Sequence, residues 1–349
     1  MKPWMLAAAL SLVLLAGDVA AATDDSKKGS AEPDTRTLDA VVVNGSQPGP
    51  AVWEFSRGRK TIWILGTLQP LPEHAEFNTS EIERRIAKSQ AVLGSRGLLI
   101  GDNISIFRGL MLWPSIRRVK FNADGRALKD VLPPATYARW LQAKARYIGD
   151  DADIERLRPM YAAYSLFEAA RKARDLKYES GVDSLVRRAA KQHDVPLIDR
   201  SLRLSISDPR RAVREFAVPR AEDIRCLDQT LDHLDGFVRT AQEVGDAWTV
   251  GDLARIKALS NEDAVVDGCW AQLTNEAIGR QQGIQDLYAQ VDERWLDSLH
   301  RALREQDTVF ATLPVRDLLD SKGLVAELKR EGFQVVPPAS PGDIRGFGE

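Results

Sequence analysis

Residues 52–69 read VWEFSRGRKTIWILGTLQ and contain two short runs rich in β-branched and aromatic residues. The first run covers residues 52–55, the second covers residues 61–65, and a glycine-containing segment separates them. Two such runs joined by a short loop predict a β-hairpin. Pro70 and Pro72 lack the amide hydrogen that a sheet interior needs, so the second strand is expected to end within residues 66–69.

The segments that follow predict strands towards both ends of the chain, with helices between them. Ser80 and Glu83 have capping-box spacing, which predicts a helix start, and residues 221–303 carry amphipathic helical patterns almost throughout. Further strands are predicted at residues 91–93, 195–198, 308–312 and 333–336, and helices at residues 183–192 and 323–330. The predicted fold class is therefore α/β (α+β), with a mixed central sheet built from N- and C-terminal segments and covered by a large helical region.

The first 22 residues have the order of a cleavable secretory signal. Lys2 gives a positive start, residues 5–16 form an apolar run, and residues 20–22 are all alanine. Because the run is too short to cross a bilayer, cleavage after Ala22 is favoured over an uncleaved anchor. A periplasmic or secreted protein with no membrane span after cleavage is expected.

Composition divides the rest of the chain into three regions. Residues 23–50 form a predicted flexible leader, because polar and charged residues dominate its first part, and residues 41–43 add a short predicted strand. The folded domain is predicted over residues 51–337, and residues 338–349 form a flexible tail.

The charge pattern does not indicate a nucleic-acid or anionic-lipid partner. The chain carries 48 basic and 50 acidic residues, so its formal net charge is only −2, and the two signs are interleaved. Such a chain lacks the basic footprint that polyanions require. The expected partner is therefore an unknown protein or small molecule outside the cytoplasm.

Cys226 and Cys269 are the only cysteines. In an oxidising compartment such a pair is predicted to form a structural disulfide, which stabilises by roughly 3–4 kcal/mol in the chain-entropy model. Two buried, unpaired thiols are the alternative. Neither cysteine has the CxxC neighbour that redox or zinc chemistry needs, so no catalytic role is predicted for them.

Five short segments occur in a recognisable order along the chain. They are VW at 52–53, ILGTLQPLP at 64–72, GVD at 181–183, ERW at 293–295, and the stretch from GL at 323–324 to GFQV at 332–335. Together they resemble the TraB/PrgY/GumN family, which includes the Tiki-like metalloproteases. The resemblance implies a mixed sheet flanked by helices. In active members it also implies two GxxH motifs and a glutamate that hold a water-activating divalent metal.

This sequence departs from that pattern at each implied ligand. Gly66 opens the first motif, but Gln69 stands where its histidine is expected. The glutamate position falls near Gly94 or Ser95, and the second motif aligns with residues 314–317, which read PVRD. One amide and one carboxylate do not make a transition-metal site. We therefore predict a divergent member that lacks the GxxH histidines, with no metal, no cofactor and no assigned catalytic residue.

Two functions follow from this pattern. The favoured one is a catalytically silent exported domain that binds an envelope partner or ligand and is not an enzyme. The alternative is a metal-dependent hydrolase or peptidase whose ligands have moved to Gln69, His74 and Asp317, or to residues that do not align with the motifs. Isolated loop histidines are more often solvated than metal-bound, which weighs against that alternative. Surface placement is also predicted for His193, His233 and His300.

Bulky and basic residues elsewhere have structural explanations. Trp53 and Trp63 lie in predicted strands and are expected to pack on the sheet rather than to stack on a ligand. Helix anchoring is predicted for Trp140, Trp248, Trp270 and Trp295. Solvated helix faces are predicted for the arginines at 187, 188, 210, 211 and 214.

Overall fold

The computed structural model describes residues 48–101, 105–178, 181–198, 200–218, 220–259, 269, 279 and 283–338. The predicted signal peptide, the leader strand at 41–43, Trp270 and nearly all of the predicted tail lie outside these residues.

The predicted hairpin is confirmed. Strand β1 covers Val52–Arg57 and β2 covers Lys60–Thr67, and the two pair antiparallel with Val52 opposite Leu65. Gly58 lies in the turn with φ of 59°, a left-handed conformation that glycine adopts without a Cβ penalty.

The central sheet has six strands and joins distant parts of the chain. Its other strands are β4 (Ala91–Leu93), β7 (Leu197–Ile198), β9 (Thr308–Pro314) and β10 (Gln334–Val336). The order is β10-β1-β2-β9-β4-β7, and only β1 runs against its neighbours. The predicted mixed sheet of N- and C-terminal segments is therefore confirmed, and the carboxyl ends of the other five strands lie at one edge.

Helices and two minor sheets complete the described elements. The helices are α1 (Ser80–Ala87), α2 (Ile106–Val119), α3 (Leu128–Val131), α4 (Pro134–Tyr147), α5 (Pro159–Lys172), α6 (Val182–Gln192), α7 (Pro209–Phe216), α8 (Ala221–Thr249), α9 (Leu253–Leu259), α10 (Leu287–Glu305), α11 (Val315–Leu319) and α12 (Leu324–Arg330). Short 3₁₀ turns cover Ala123–Gly125 and Asp153–Arg156. The minor sheets pair β3 (Leu71–Pro72) with β6 (Leu176–Lys177), and β5 (Gly97–Ile100) with β8 (Ser201–Leu204).

The start of α1 differs from the prediction by one residue. Thr79, not Ser80, is the N-cap, and its hydroxyl donates to the carboxylate of Glu83 at 2.9 Å. The Ser80 amide instead donates a hydrogen bond to the side-chain oxygen of Asn78 at 2.9 Å. The predicted capping box is therefore wrong, because Asn78 already satisfies the amide at the helix start.

The main core lies on the faces of the central sheet. Ile64 on β2 and Phe310 on the central strand β9 are fully buried. Helix α1 adds Ile82 and Ile86, which are four residues apart and therefore face the same side. Helix α10 adds the fully buried Trp295. This packing fixes the sheet edge on which the candidate site is built.

A second core lies within the helical region. Helices α4 and α5 pack with α8, and the rings of Phe167 and Phe237 lie 4.9 Å apart between centroids. Trp140 is fully buried there, and its indole N–H donates to Glu155 at 3.0 Å. The predicted anchoring role is confirmed for Trp140, and also for Trp248 and Trp295, which are buried on α8 and α10.

Among the described residues, none of the helices is long and apolar enough to cross a membrane.

Candidate functional site

The carboxyl edge of the central sheet brings together residues 66–69 and 314–317, the two segments in which the resemblance implies the GxxH motifs. Strands β2 and β9 pair in parallel with Gly66 opposite Leu313, and β4 pairs with β9 on the other side with Leu93 opposite Ala311. Because carboxyl ends of neighbouring parallel strands meet at one edge, the segments after Gly66, Leu93 and Pro314 converge there. In open α/β sheets this edge is where ligand sites form.

Gly66 is held by close packing. A Cβ added at Gly66 would lie 2.7 Å from the ring of Trp53 and 3.2 Å from Val315. The buried indole of Trp248 donates to the Gly66 carbonyl at 2.7 Å. The glycine of the first motif therefore has a structural reason that does not depend on catalysis.

The loop after β4 is held in the same manner. The indole of Trp295 donates to the Gly94 carbonyl at 2.9 Å, and the Nε of Arg200 donates to the Ser95 carbonyl at 2.8 Å. The Ser95 hydroxyl lies 2.8 Å from that of Thr312 on β9 and shares a hydrogen bond with it. The position at which the resemblance implies a glutamate therefore carries only a hydroxyl that is bonded to the next strand.

Arg96, the next residue, forms a charge cluster at this edge. One terminal nitrogen of its guanidinium bonds Asp292 on α10 and the other bonds Asp317 on α11. The side chains of Arg96 and Asp317 are 22% and 19% exposed, so water screens this pair only partly. We refer to Arg96, Asp292 and Asp317 as the arginine cluster.

The protonation of Asp317 reflects this setting. Burial raises its pKa above the usual value of 3.8, and the positive charges of Arg96 and Arg316 oppose the rise. Asp292 adds a second negative charge that raises the pKa further. Asp317 is therefore an acceptor committed to Arg96 and not an exposed carboxylate with open coordination positions.

The other residues of the proposed relocated site are not gathered here. Gln69 follows the end of β2 and is exposed, and His74 is also exposed. No hydrogen bond or ion pair joins either of them to Asp317, all three being residues that the structure describes. Within the described ranges, no group of three or more histidine, cysteine, aspartate and glutamate residues is placed to hold a metal ion.

The remaining histidines also lie away from the carboxyl edge. His193 is exposed, as predicted, whereas His233 and His300 are half-buried. The Nε2 of His300 lies 2.9 Å from a carboxylate oxygen of Glu331, which accounts for its partial burial.

A small cavity of about 40 Å³ is lined by Gly94 in the loop after β4 and by Thr312 on β9. Its polar lining comes from Asp183, Arg187, Arg200 and Thr312. A single water takes about 30 Å³ in the liquid. The cavity is therefore large enough to hold ordered water.

The cysteines lie in the helical region, away from the sheet edge. Both thiols are buried and unbridged, and the Sγ of Cys269 lies 3.6 Å from the carbonyl oxygen of Cys226. A hydrogen bond from the Cys226 thiol lowers the pKa of Cys269. The two thiols are therefore neighbours, and the disulfide stays a prediction.

Sequence reasoning missed Arg96 and Asp292. Arg96 had a usable signal, since it follows the predicted strand at 91–93 by three residues and a polar residue there reaches the sheet edge. Asp292 had none, because it comes from a helix late in the chain and meets Arg96 only in the folded protein.

These features define a mixed α/β domain with a polar cluster at the carboxyl edge of its sheet. The model of the TraB/PrgY/gumN family matches residues 51–337. The chain therefore belongs to the TraB/PrgY/gumN family. No curated protein and no solved structure gave a match.

Proposed function

We propose that this protein is an exported, catalytically silent member of the TraB/PrgY/gumN family that acts by binding a partner or ligand outside the cytoplasm. The observation that carries the proposal is the arginine cluster. Arg96 places a permanent positive charge between Asp292 and Asp317 at the edge where both degenerate motifs meet.

Electrostatics argue against a divalent metal beside this guanidinium. Two unit charges about 4 Å apart interact by roughly 4 kcal/mol near a protein surface, so a divalent cation would meet about twice that repulsion. The attraction of Asp292 and Asp317 is already directed to Arg96. The residues at this edge therefore do not fit the metal that the family resemblance implies.

Ligand chemistry supports the same conclusion. Gln69 offers a neutral amide in place of an imidazole, and Ser95 offers a hydroxyl in place of a glutamate. Neither is a strong ligand for a borderline-soft metal. The close packing of Gly66 against Trp53 explains how the framework is kept without the chemistry.

Export rests on the order of charge, apolar run and small residues over residues 1–22. The mature protein is then expected to begin near Thr23. N-terminal sequencing of protein recovered from the periplasm and the medium tests this part of the proposal.

The catalytic part is tested by elemental analysis after dialysis, together with a peptide-cleavage assay with and without added zinc, manganese or cobalt. The proposal predicts no retained metal and no cleavage above background. Stoichiometric metal with chelator-sensitive cleavage, lost in Asp317→Ala but kept in the matched carboxylate variant Asp235→Ala, would overturn it and favour the hydrolase with relocated ligands. Asp235 is an exposed residue of α8 in the helical region.

A further inference from the structure

Helix α2 combines positive charge with exposed apolar side chains. Residues 105–121 read SIFRGLMLWPSIRRVKF and contain four basic residues but no acidic one. The segment therefore carries a net charge of +4 within its own sequence.

Among residues 111–119, the part of α2 whose burial the structure describes, only Leu112 and Val119 are buried. Leu112 and Val119 are 8% and 6% exposed, and their spacing of seven residues places them on the same side. Met111 and Trp113 are 61% and 58% exposed, which is unusual for side chains of this size and hydrophobicity. The remaining described residues of α2 from Pro114 to Arg118 are also exposed.

The exposed residues share the outer half of α2. At about 100° per residue, Met111, Trp113, Arg117 and Arg118 all lie roughly 90° or more from the buried side. We refer to these four residues as the α2 outer face. By the same spacing Met111 and Trp113 lie on the two flanks of this half, about 160° apart, and Arg117 and Arg118 lie between them.

Helix α7 extends the positive charge next to this face. A cavity of about 320 Å³ is lined by Met111 and Leu112 on one side and by Pro209 and Arg210 on the other, so the two helices are adjacent. Arg210 and Arg214 are exposed on α7.

The acidic residues of α7 already have local partners. Asp208 caps the helix by accepting from the Arg211 amide at 3.0 Å, and Glu215 pairs with the Arg211 side chain at 2.7 Å. They compensate Arg211, and the α2–α7 surface as a whole remains positive.

We propose that the α2 outer face docks on an anionic membrane surface. Trp113 and Met111 would enter the interfacial layer, where tryptophan is favoured, and Arg117 and Arg118 would face lipid phosphates. The net charge of the whole chain did not indicate this partner because it averages over a locally basic surface. The proposal names a partner for the binding role above and rests on different residues.

A second copy of the chain is a poorer occupant for this face. Self-association through one shared patch would place Arg117 and Arg118 against the same residues of the other copy. Like charges in contact at an interface oppose association. An anionic bilayer instead complements both the charge and the exposed apolar side chains.

The test is flotation of the full mature chain with vesicles of phosphatidylcholine alone or of phosphatidylcholine mixed with phosphatidylglycerol. Binding is expected only to the anionic vesicles and should weaken as salt is raised. Each arginine at such a surface contributes roughly fivefold to partitioning, so Arg117→Gln with Arg118→Gln should lower it by at least about tenfold. Met111→Ala with Trp113→Ala should lower it as well.

Two matched controls separate docking from general charge or hydrophobicity. Arg187→Gln with Arg188→Gln removes another adjacent, exposed arginine pair, on α6, and Leu141→Ala removes an apolar side chain that is 44% exposed on α4. Both controls should bind anionic vesicles like the wild type. The arginine variants of α2 should also keep the wild-type circular dichroism spectrum, since those side chains are exposed.

No binding to anionic vesicles at low salt would overturn the proposal. Unchanged binding of both α2 variants would also overturn it, as would an equal loss in the α6 control. Self-association abolished by the α2 variants, without vesicle binding, would assign the face to a second copy instead. Metal retention is measured separately, so failure of this test leaves the catalytically silent function standing.

Discussion

Arg96 and Asp317 form an ion pair at the carboxyl edge of the central sheet, joining the loop after β4 to the first turn of α11. Asp292 on α10 holds the other side of the same guanidinium. The pair links the segment in which the resemblance implies a glutamate, near Gly94 and Ser95, to the segment 314–317 in which it implies the second motif. The guanidinium of Arg96, a cation that belongs to the chain itself, thus accounts for the two carboxylates at this edge.

The stability of the protein should depend on pH through Asp317. Burial raises the pKa of Asp317 in the folded state above 3.8, so folding favours the protonated form. Stability from this group is therefore complete at acid pH and is lost as pH rises through the folded-state pKa. The side chain introduced in the Asp317→Asn variant does not titrate. As pH rises through the folded-state pKa of Asp317, the variant should therefore become more stable relative to the wild type.

Urea unfolding of both proteins from about pH 3 to about pH 7 measures this difference, and each unit of pKa shift corresponds to about 1.4 kcal/mol. Asp235→Asn is the matched control, because Asp235 is 63% exposed. If the free energy of unfolding of the wild type instead rises relative to that of Asp317→Asn as pH rises, the attraction of Arg96 exceeds the effect of burial.

Trp248→Phe should destabilise the protein more than Trp63→Phe. The indole of Trp248 is buried and donates to the Gly66 carbonyl, whereas half-buried Trp63 donates to Glu54, whose side chain is 40% exposed. Losing the first bond leaves a buried carbonyl unsatisfied, which costs about 1–3 kcal/mol, while water replaces the second. Denaturant unfolding of both variants measures the two losses in free energy of unfolding. Equal losses would contradict the proposed role of Trp248.

Sequence patterns predicted the parts of the fold that local periodicity determines. The hairpin at 52–65 and the strand at 91–93 have distinctive residue types, and the structure has strands there. The charge cluster was not predictable in this way, since Asp292 and Arg96 are 196 residues apart and meet only through the sheet. Sequence patterns assigned no role to residues 106–119, and most of the α2 positions whose burial is described are exposed.

The cysteine pair should be oxidised in the exported protein. Cys226 and Cys269 are buried neighbours, and the lowered pKa of Cys269 favours the thiolate from which a disulfide forms. Alkylation of the denatured protein should add no label before reduction and two labels after it. Protein retained in the cytoplasm as a signal-less variant is the control and should be labelled without reduction. Two labels on the unreduced exported protein would disprove the disulfide.

The helical region contains a buried ion pair that can be compared with an exposed one. The side chains of Arg158 and Asp223 are each 2% exposed, and the Nε of Arg158 donates to Asp223 at 2.8 Å. Arg146 and Asp235 form the exposed pair at 2.8 Å, with side chains 58% and 63% exposed. Because the first pair is buried, removing one partner leaves the other charge buried and unpaired, whereas water solvates the remaining charge of the exposed pair.

Arg158→Gln should therefore destabilise the protein by roughly 3–5 kcal/mol at neutral pH, and Arg146→Gln by less than about 1 kcal/mol. Burial already raises the pKa of Asp223 and Arg158 opposes the rise, so the variant should raise that pKa further. Its loss should consequently be smaller at acid pH, where Asp223 is protonated in both states, and Arg158→Gln with Asp223→Asn should recover part of the stability. Denaturant unfolding at pH values from acid to neutral measures the free energy of unfolding of all three variants. A loss for Arg158→Gln that matched Arg146→Gln, or that did not change with pH, would show that Asp223 is not held as a charged partner in the folded protein.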